Sequence, residues 1–158
     1  MKLDLRHKTH KALFVMLFFL YLLFLIKVIL LKYGFTMSLL LMQLPERSYN
    51  IIPFKTIISY CLKSDFKTCV FELLGNIIAF IPMGFLLPFL LKRINKMRKI
   101  VAICLMISLS FELIQLLTNV GQFDIDDIIL NTLGSVIGFL IYKGLNFRIV
   151  KTWSNPGS

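Results

Sequence analysis

The sequence has few of the residues on which most enzymes and metalloproteins depend. Of its 158 residues, two are histidine, three are cysteine and eight are acidic. His7 and His10 lie near the N-terminus and Cys104 lies inside an apolar run, so no Ser–His or Cys–His pair is available for nucleophilic catalysis. The sequence also lacks a phosphate-binding loop, a dinucleotide-binding glycine pattern and a zinc motif. Any reaction would have to depend on carboxylates alone, and we expect no cofactor.

Apolar residues, by contrast, are in excess. They make up 58% of the chain, and the mean hydropathy is +0.81, whereas average globular chains are about 45–50% apolar. This excess indicates an integral membrane protein. The net charge of +10 could suggest a nucleic-acid partner. The basic residues, however, lie at the ends of apolar runs, which is the pattern of membrane topology, so we expect no nucleic-acid binding.

The apolar runs predict an all-α integral membrane protein with four transmembrane helices. The predicted crossings are residues 12–31, 71–91, 100–117 and 128–145. If the N-terminus is cytoplasmic, the cytoplasmic segments hold four basic residues, then five, then three, which is twelve of the eighteen. Basic residues near helix ends stay cytoplasmic, so the predicted topology is N-in and C-in. Residues 1–150 would form a single domain, followed by a disordered tail at 151–158.

The long outer loop between the first two crossings contains a further helical pattern. Over residues 51–62, apolar residues such as Ile58 fall on one side and Lys55 on another, which predicts an amphipathic helix lying in the membrane interface. Cys61 and Cys69 belong to the same region. They would form a disulfide only if this loop faces an oxidising compartment, and the sequence leaves that question open.

The stretch that follows the short outer loop has one distinctive helical face. Five residues share that face at steps of three and four: Asp124, Asp127, Asn131, Gly134 and Gly138. Small residues four apart let a neighbouring helix come close in a bilayer, as we expect at Gly134 and Gly138 and also at Gly75 and Ala79. Pro82 removes a backbone donor from the second crossing and predicts a kink there. The alternative is a purely structural role, in which this face packs against a neighbouring helix and its aspartates form a solvated acidic cap.

Polar side chains in different crossings fall at a similar depth below the outer surface. At about 1.5 Å per residue, Lys27, Asn76, Glu112 and Asn131 lie about one turn inside, and Glu72, Gln115 and Asp127 lie nearer the surface. This layer predicts an outward-facing polar pocket, in which a half-buried Glu112 is the candidate acid or base. Two alternatives remain. The layer could only fix helix register through interhelical hydrogen bonds, and Lys27 could extend to the interface.

Four segments of the sequence resemble the VanZ-like family of small bacterial membrane proteins. They are residues 50–54 (NIIPF), 75–85 (GNIIAFIPMGF), 112–115 (ELIQ) and 123–134 (FDIDDIILNTLG). The resemblance implies a multi-pass protein of the bacterial cell membrane with a role in teicoplanin resistance. It also implies a set of binding residues: Asn76, Pro82, Glu112, Gln115, Asp124, Asp127 and Asn131. To these we add Lys27, Glu72 and Asn50 as candidate contributors. Family members usually carry an arginine shortly before the aspartates, where this sequence has Gly121 and Gln122. Because arginine binds phosphate or carboxylate through two parallel hydrogen bonds, its absence weakens the case for binding such a group here.

Three functions follow as expectations. The leading one is an outward-facing pocket that binds a membrane-lipid headgroup, a cell-wall precursor or a surface polymer, without catalysis. The second is a carboxylate-dependent hydrolase or transferase acting on a lipid-linked substrate. The third is an interaction subunit whose small-residue faces contact another membrane protein or a second copy of the chain. Glu72, Asp124 and Asp127 carry oxygens that suit a divalent cation, but the sequence shows no closed set of ligands, and we expect no metal.

Overall fold

The structure is a computed structural model that describes residues 2–32, 49–91, 93–118 and 121–154, with side chains described for residues 12–28, 49–91, 93–118 and 121–145. In chain order its elements are α1 (Lys2–Lys32), β1 (Tyr49–Asn50), α2 (Lys55–Lys63), α3 (Phe66–Leu90), α4 (Met97–Thr118), β2 (Phe123–Asp124) and α5 (Ile125–Ser154). The fold is therefore helical, as predicted. The two short strands pair with each other in parallel.

Three segments of the described chain are long and apolar enough to cross a membrane: Phe66–Leu90, Met97–Thr118 and Ile125–Leu145. They contain nearly all of the second, third and fourth predicted crossings. α1 contributes a shorter apolar segment, Ala12–Val28, within the first predicted crossing. The count of four crossings and the N-in/C-in topology stay predictions. α5 continues through Ser154, past the predicted start of the tail, and residues 155–158 lie outside the described residues.

Close contact between α3 and α5 organises the bundle. A Cβ placed on Gly134 would overlap the carbonyl oxygen of Ile77, and one placed on Gly138 would overlap that of Ile81. The spacing of these glycines predicts this close approach. Gly84 supplies the same kind of contact from α3. Gly75 differs, because nothing outside its own stretch of helix lies within 4 Å of its Cβ position. The predicted small pair Gly75–Ala79 is therefore no tight helix contact.

The buried core adjoins the polar layer of these helices. It contains seven side chains: Leu25, Phe80, Met83, Leu87, Ile100, Cys104 and Phe139. Phe80, Met83 and Leu87 follow one another at steps of three and four, so they share one face of α3. Cys104 is fully buried among them, which agrees with a packing role. α3 remains helical through Pro82 and Pro88, and the Tyr21 hydroxyl of α1 donates to the Ala79 carbonyl at 2.7 Å.

The amphipathic helix predicted between the first two crossings is α2, which begins four residues later than predicted. Residues 51–54 precede it, and Phe54 adopts a left-handed φ of 66°, which is uncommon for a residue other than glycine. None of the residues of α2 is buried. α3 then begins after Asp65, whose side chain accepts hydrogen bonds from Thr68. These hydrogen bonds, that of the Thr68 side chain above all, lower the pKa of the Asp65 carboxyl.

Candidate functional site

A cavity of about 270 Å³ lies between α1, α3, α4 and α5. Six polar side chains line it: Glu72, Asn76, Glu112, Gln115, Asp127 and Asn131. Its remaining walls are mainly apolar, with Leu25 and Val28 from α1 and Phe71, Phe80 and Phe111 from α3 and α4. We call this space the polar cavity. Three helices thus direct polar groups into one volume, although their sequences are otherwise apolar.

The contribution of α4 is a single polar stripe. Ser108, Glu112 and Gln115 are separated by four and three residues, so they share one face of the helix. All three are buried, with at most 3% of their surface exposed. The Asn131 amide nitrogen of α5 donates to the Ser108 hydroxyl at 2.8 Å. This bond lies at the inner end of the stripe and links α4 to α5, while Glu112 and Gln115 face the polar cavity.

A second hydrogen bond links α3 to α5. The amide nitrogen of Asn76 donates to the carboxylate of Asp127, which lies one turn before Asn131 on α5. Both partners line the polar cavity. An ionised carboxylate can only accept hydrogen bonds, so this pairing turns the amide nitrogen of Asn76 toward Asp127. The orientation of the Asn76 side chain is thus set by Asp127 on α5.

At one end of the polar cavity, the segment before α2 and the segment before α5 are joined by a group of contacts, formed by β1, β2 and the side chains of Asn50, Asp124 and Asp126. We call it the outer latch, after the predicted topology. Asn50 pairs with Asp124 in the parallel ladder, and its amide nitrogen donates to the Asp124 carboxylate at 3.0 Å. The Asp124 backbone N–H donates to Glu112 Oε2 at 2.8 Å. Glu112 therefore belongs both to the polar cavity and to the support of the outer latch.

Asp126 has a role that the sequence did not indicate. It is fully buried, and its carboxylate accepts backbone hydrogen bonds from Phe54, Thr56 and Ile57. The N-terminus of α2 has no side-chain cap of its own, so Asp126 supplies the cap from α5. By helical spacing, Asp126 lies on a different side from Asp124 and Asp127. The sequence pattern pointed only to the face that holds those two residues, so it did not predict a role for Asp126. No local pattern connects Asp126 to the start of α2, because the two are about seventy residues apart in the chain.

The comparisons with known proteins agree with the four motifs. The VanZ/LLP1 family matches residues 18–149, which is most of the chain. The chain belongs to the VanZ/LLP1 family. It is also 37% identical over 97 residues to Protein VanZ of Enterococcus faecium, a match that covers 61% of this chain and 53% of that protein. The chain therefore spans about half the length of that curated relative. No solved structure matches it.

In this VanZ/LLP1 protein the residues singled out from the sequence fall into three groups. Five of the seven predicted binding residues line the polar cavity, together with the predicted contributor Glu72: Asn76, Glu112, Gln115, Asp127 and Asn131. Asp124 and Asn50 lie in the outer latch. Pro82 and Lys27 do not line the polar cavity, and the side chain of Lys27 is exposed. Gln122 is exposed as well. Whether any of these residues contacts a ligand stays a prediction.

The chemistry of the polar cavity is acidic and amide-rich. Three carboxylates and three amides line it, and no lysine, arginine or histidine is present among the lining residues that the structure describes. Carboxylates accept hydrogen bonds, and amides both donate and accept them. Across the described side chains, no three acidic, histidine or cysteine groups come together as a metal site would need. The arrangement in this VanZ/LLP1 protein suits a ligand rich in hydrogen-bond donors.

Proposed function

We propose that this VanZ/LLP1 protein resides in the bacterial cell membrane and contributes to resistance to teicoplanin-type glycopeptides by binding a polar headgroup or cell-wall precursor. The ligand would occupy the polar cavity, which we infer to face outward. The observation that carries the proposal is the convergence of six polar side chains on one cavity between otherwise apolar helices. Family membership and the similarity to Protein VanZ support the resistance role.

Binding accounts for this arrangement better than helix register does. A polar layer that only fixes register is satisfied when its members bond to one another across a packed interface. Two such bonds are present, Asn131 to Ser108 and Asn76 to Asp127. A layer that only fixed register would be packed without a large void, yet a volume of about 270 Å³ remains between these helices. That volume leaves room for a ligand beside the polar side chains.

Neutralising or shortening the polar side chains should abolish the resistance phenotype. Glu112→Gln keeps the shape of the side chain and an oxygen that can accept from the Asp124 N–H, but it removes the charge. Asn131→Ala removes the amide and its bond to Ser108. In a glycopeptide-susceptible host that expresses the protein, each variant should return the minimal inhibitory concentration of teicoplanin to that of the empty vector.

The matched control for this experiment is Ser110→Ala. Ser110 lies on the exposed side of α4, and its hydroxyl donates to the Met106 carbonyl of its own helix, so its loss should leave susceptibility at the level of the unmodified protein. Membrane levels of each variant are measured by immunoblot. Full resistance in Glu112→Gln and in Asn131→Ala, at unchanged protein levels, would contradict the proposal.

The proposed orientation places α2 and the start of α3 outside the cell. Cys61 is exposed and Cys69 is half-buried, with their free thiols 3.0 Å apart, whereas Cys104 is buried. After treatment of intact cells with a membrane-impermeant phosphine reductant, a membrane-impermeant maleimide should label Cys61 and leave Cys104 unlabelled. The control is Lys96→Cys in a chain with Cys61→Ser and Cys69→Ser, which should be labelled only after permeabilisation. The reverse pattern would place the outer latch in the cytoplasm and refute an outward-facing cavity.

A further inference from the structure

A second cavity opens beside the polar one, between α1 and α3. Its volume is about 340 Å³. Four side chains line this cavity and not the polar one: Phe24, Val70, Leu74 and Ile78. We call it the apolar groove, because every residue that lines it is apolar or glycine. Such a surface offers no partner to a polar group and is suited to hydrocarbon.

The apolar groove is continuous with the polar cavity. Val28, Phe71, Gly75 and Ala79 line both of them. At the junction, Gly75 leaves open space where a side chain would begin, since nothing outside its own stretch of helix lies within 4 Å of its Cβ position. A single molecule can therefore extend from one space into the other past Gly75. The absence of a side chain at this position keeps the passage open.

The two spaces differ sharply in the chemistry they offer. The polar cavity has Glu72, Glu112 and Asp127 as acceptors and no basic residue among its described lining. A bare phosphate brought next to these carboxylates would meet like charge without a compensating cation. An uncharged group with many hydroxyls would donate to the carboxylates and pair with the amides. The chemistry therefore selects a polar head of the sugar type over a phosphate.

We propose that the polar cavity and the apolar groove together bind one lipid molecule, with an uncharged, hydroxyl-rich head in the polar cavity and a hydrocarbon chain in the apolar groove. This inference rests on the proposed function and names the class of its ligand. Each cavity alone is at or near the lower limit of about 300 Å³ that is typical of ligand sites, and the two together fall within the usual range. The junction at Gly75 is the feature that makes them one site.

Photolabelling of the full chain tests this site directly. The protein is reconstituted in phosphatidylcholine vesicles with a trace of glucosyl-diacylglycerol that carries a diazirine in one acyl chain, and labelled peptides are identified by mass spectrometry. A parallel sample carries phosphatidic acid with the same diazirine chain. We expect the glycolipid to label Val70, Leu74 and Ile78, and the phosphatidic acid to label them more weakly.

Gly75→Leu should block the junction and lower glycolipid labelling of these residues by roughly tenfold. The leucine side chain would displace about two methylene groups of the lipid chain from the apolar groove, and that loss weakens binding by about this factor. The matched control is Gly144→Leu, since Gly144 also has nothing within 4 Å of its Cβ position and lines neither cavity. The glycolipid should label this control variant to the same extent as the unmodified chain. Should Gly75→Leu fail to fold, Val28→Trp fills the same junction from α1 and should have the same effect.

Equal labelling by the two lipids in the unmodified chain, or unchanged labelling in both junction variants, would overturn the inference and leave ordinary surrounding lipid as the explanation. The proposed function is tested by a separate result. If labelling depends on Gly75 while teicoplanin susceptibility is unaffected by Glu112→Gln, the lipid site stands and the resistance role falls. If labelling ignores Gly75 while Glu112→Gln abolishes resistance, the resistance role stands and the ligand is not this class of lipid.

Discussion

Gly134→Ala is expected to destabilise the protein severely, although it adds one methyl group. The new Cβ would overlap the carbonyl oxygen of Ile77 on α3, and a backbone oxygen cannot rotate away as a flexible side chain can. The two helices must separate, which also disturbs the neighbouring contacts at Gly138 and Gly84. Overpacking of this kind costs about 1–3 kcal/mol and occasionally more. The apparent free energy of unfolding is measured by denaturant titration of the protein in detergent micelles.

Gly144→Ala is the control for this prediction. Gly144 lies on the same helix as Gly134, but nothing outside its own stretch of helix lies within 4 Å of its Cβ position. Alanine favours a helix over glycine by about 1 kcal/mol, so Gly144→Ala should be neutral or slightly stabilising. The same substitution thus has opposite expected effects at two sites on one helix. Equal stability of the two variants would show that α3 and α5 do not pack in the way described.

Asp126→Ala should release α2 from the rest of the structure. The Asp126 carboxylate is fully buried and accepts three backbone N–H groups at the start of α2. Hydrogen bonds to charged groups contribute about 1.5–3 kcal/mol each, but the freed donors lie near the surface and regain water. We expect a net loss on the order of 3 kcal/mol in the local stability of α2. Amide hydrogen exchange at residues 54–57 should accelerate by roughly a hundredfold.

Asp65→Ala is the matched control, because it removes the same charge from another helix start. Asp65 is exposed and caps α3 through Thr68, so its loss should leave exchange at residues 54–57 unchanged. If Asp126→Ala also left this exchange unchanged, the cap from α5 would contribute nothing to the stability of α2. The contrast separates a specific contact from a general effect of lost negative charge.

The sequence carried more information on which residues line the polar cavity than on the contacts of the outer latch. Glu112 and Gln115 repeat at a helical spacing within an apolar run, and so do Asp127 and Asn131. Polar residues in such runs must face one another to be stable, so the helical period and the depth below the surface were enough to bring them together. No comparable signal exists for the outer latch, because a ladder of two residues per strand has no periodicity.

Two further features could not be read from the sequence for a related reason. The left-handed backbone of Phe54 and the cap from Asp126 arise from a contact between residues about seventy positions apart, and a local pattern carries no information on such pairs. Gly75 and Gly134 illustrate the same limit. Both belong to small-residue pairs on apolar helices, yet one faces a cavity and the other touches a helix, and only the arrangement of α1, α3 and α5 distinguishes them.

The arrangement also bears on the third function considered, that of an interaction subunit. The small-residue face of α5 is occupied by α3 of the same chain. A partner helix, or a second copy of the chain, would therefore have to use another surface. The exposed apolar side chains of α1 are one such surface, although in a bilayer they are equally suited to lipid.

The outer latch has a consequence for how the chain is assembled during synthesis. Its two halves lie 74 residues apart at the Asn50–Asp124 bond, and α3 and α4 are both made between them. When α2 leaves the ribosome, the carboxylate that will cap it has not yet been translated, so its first amides must remain bonded to water. A helix that is made later thus caps one that is made earlier, and a chain cut short before Asp126 would have every residue of α2 but would lack this cap.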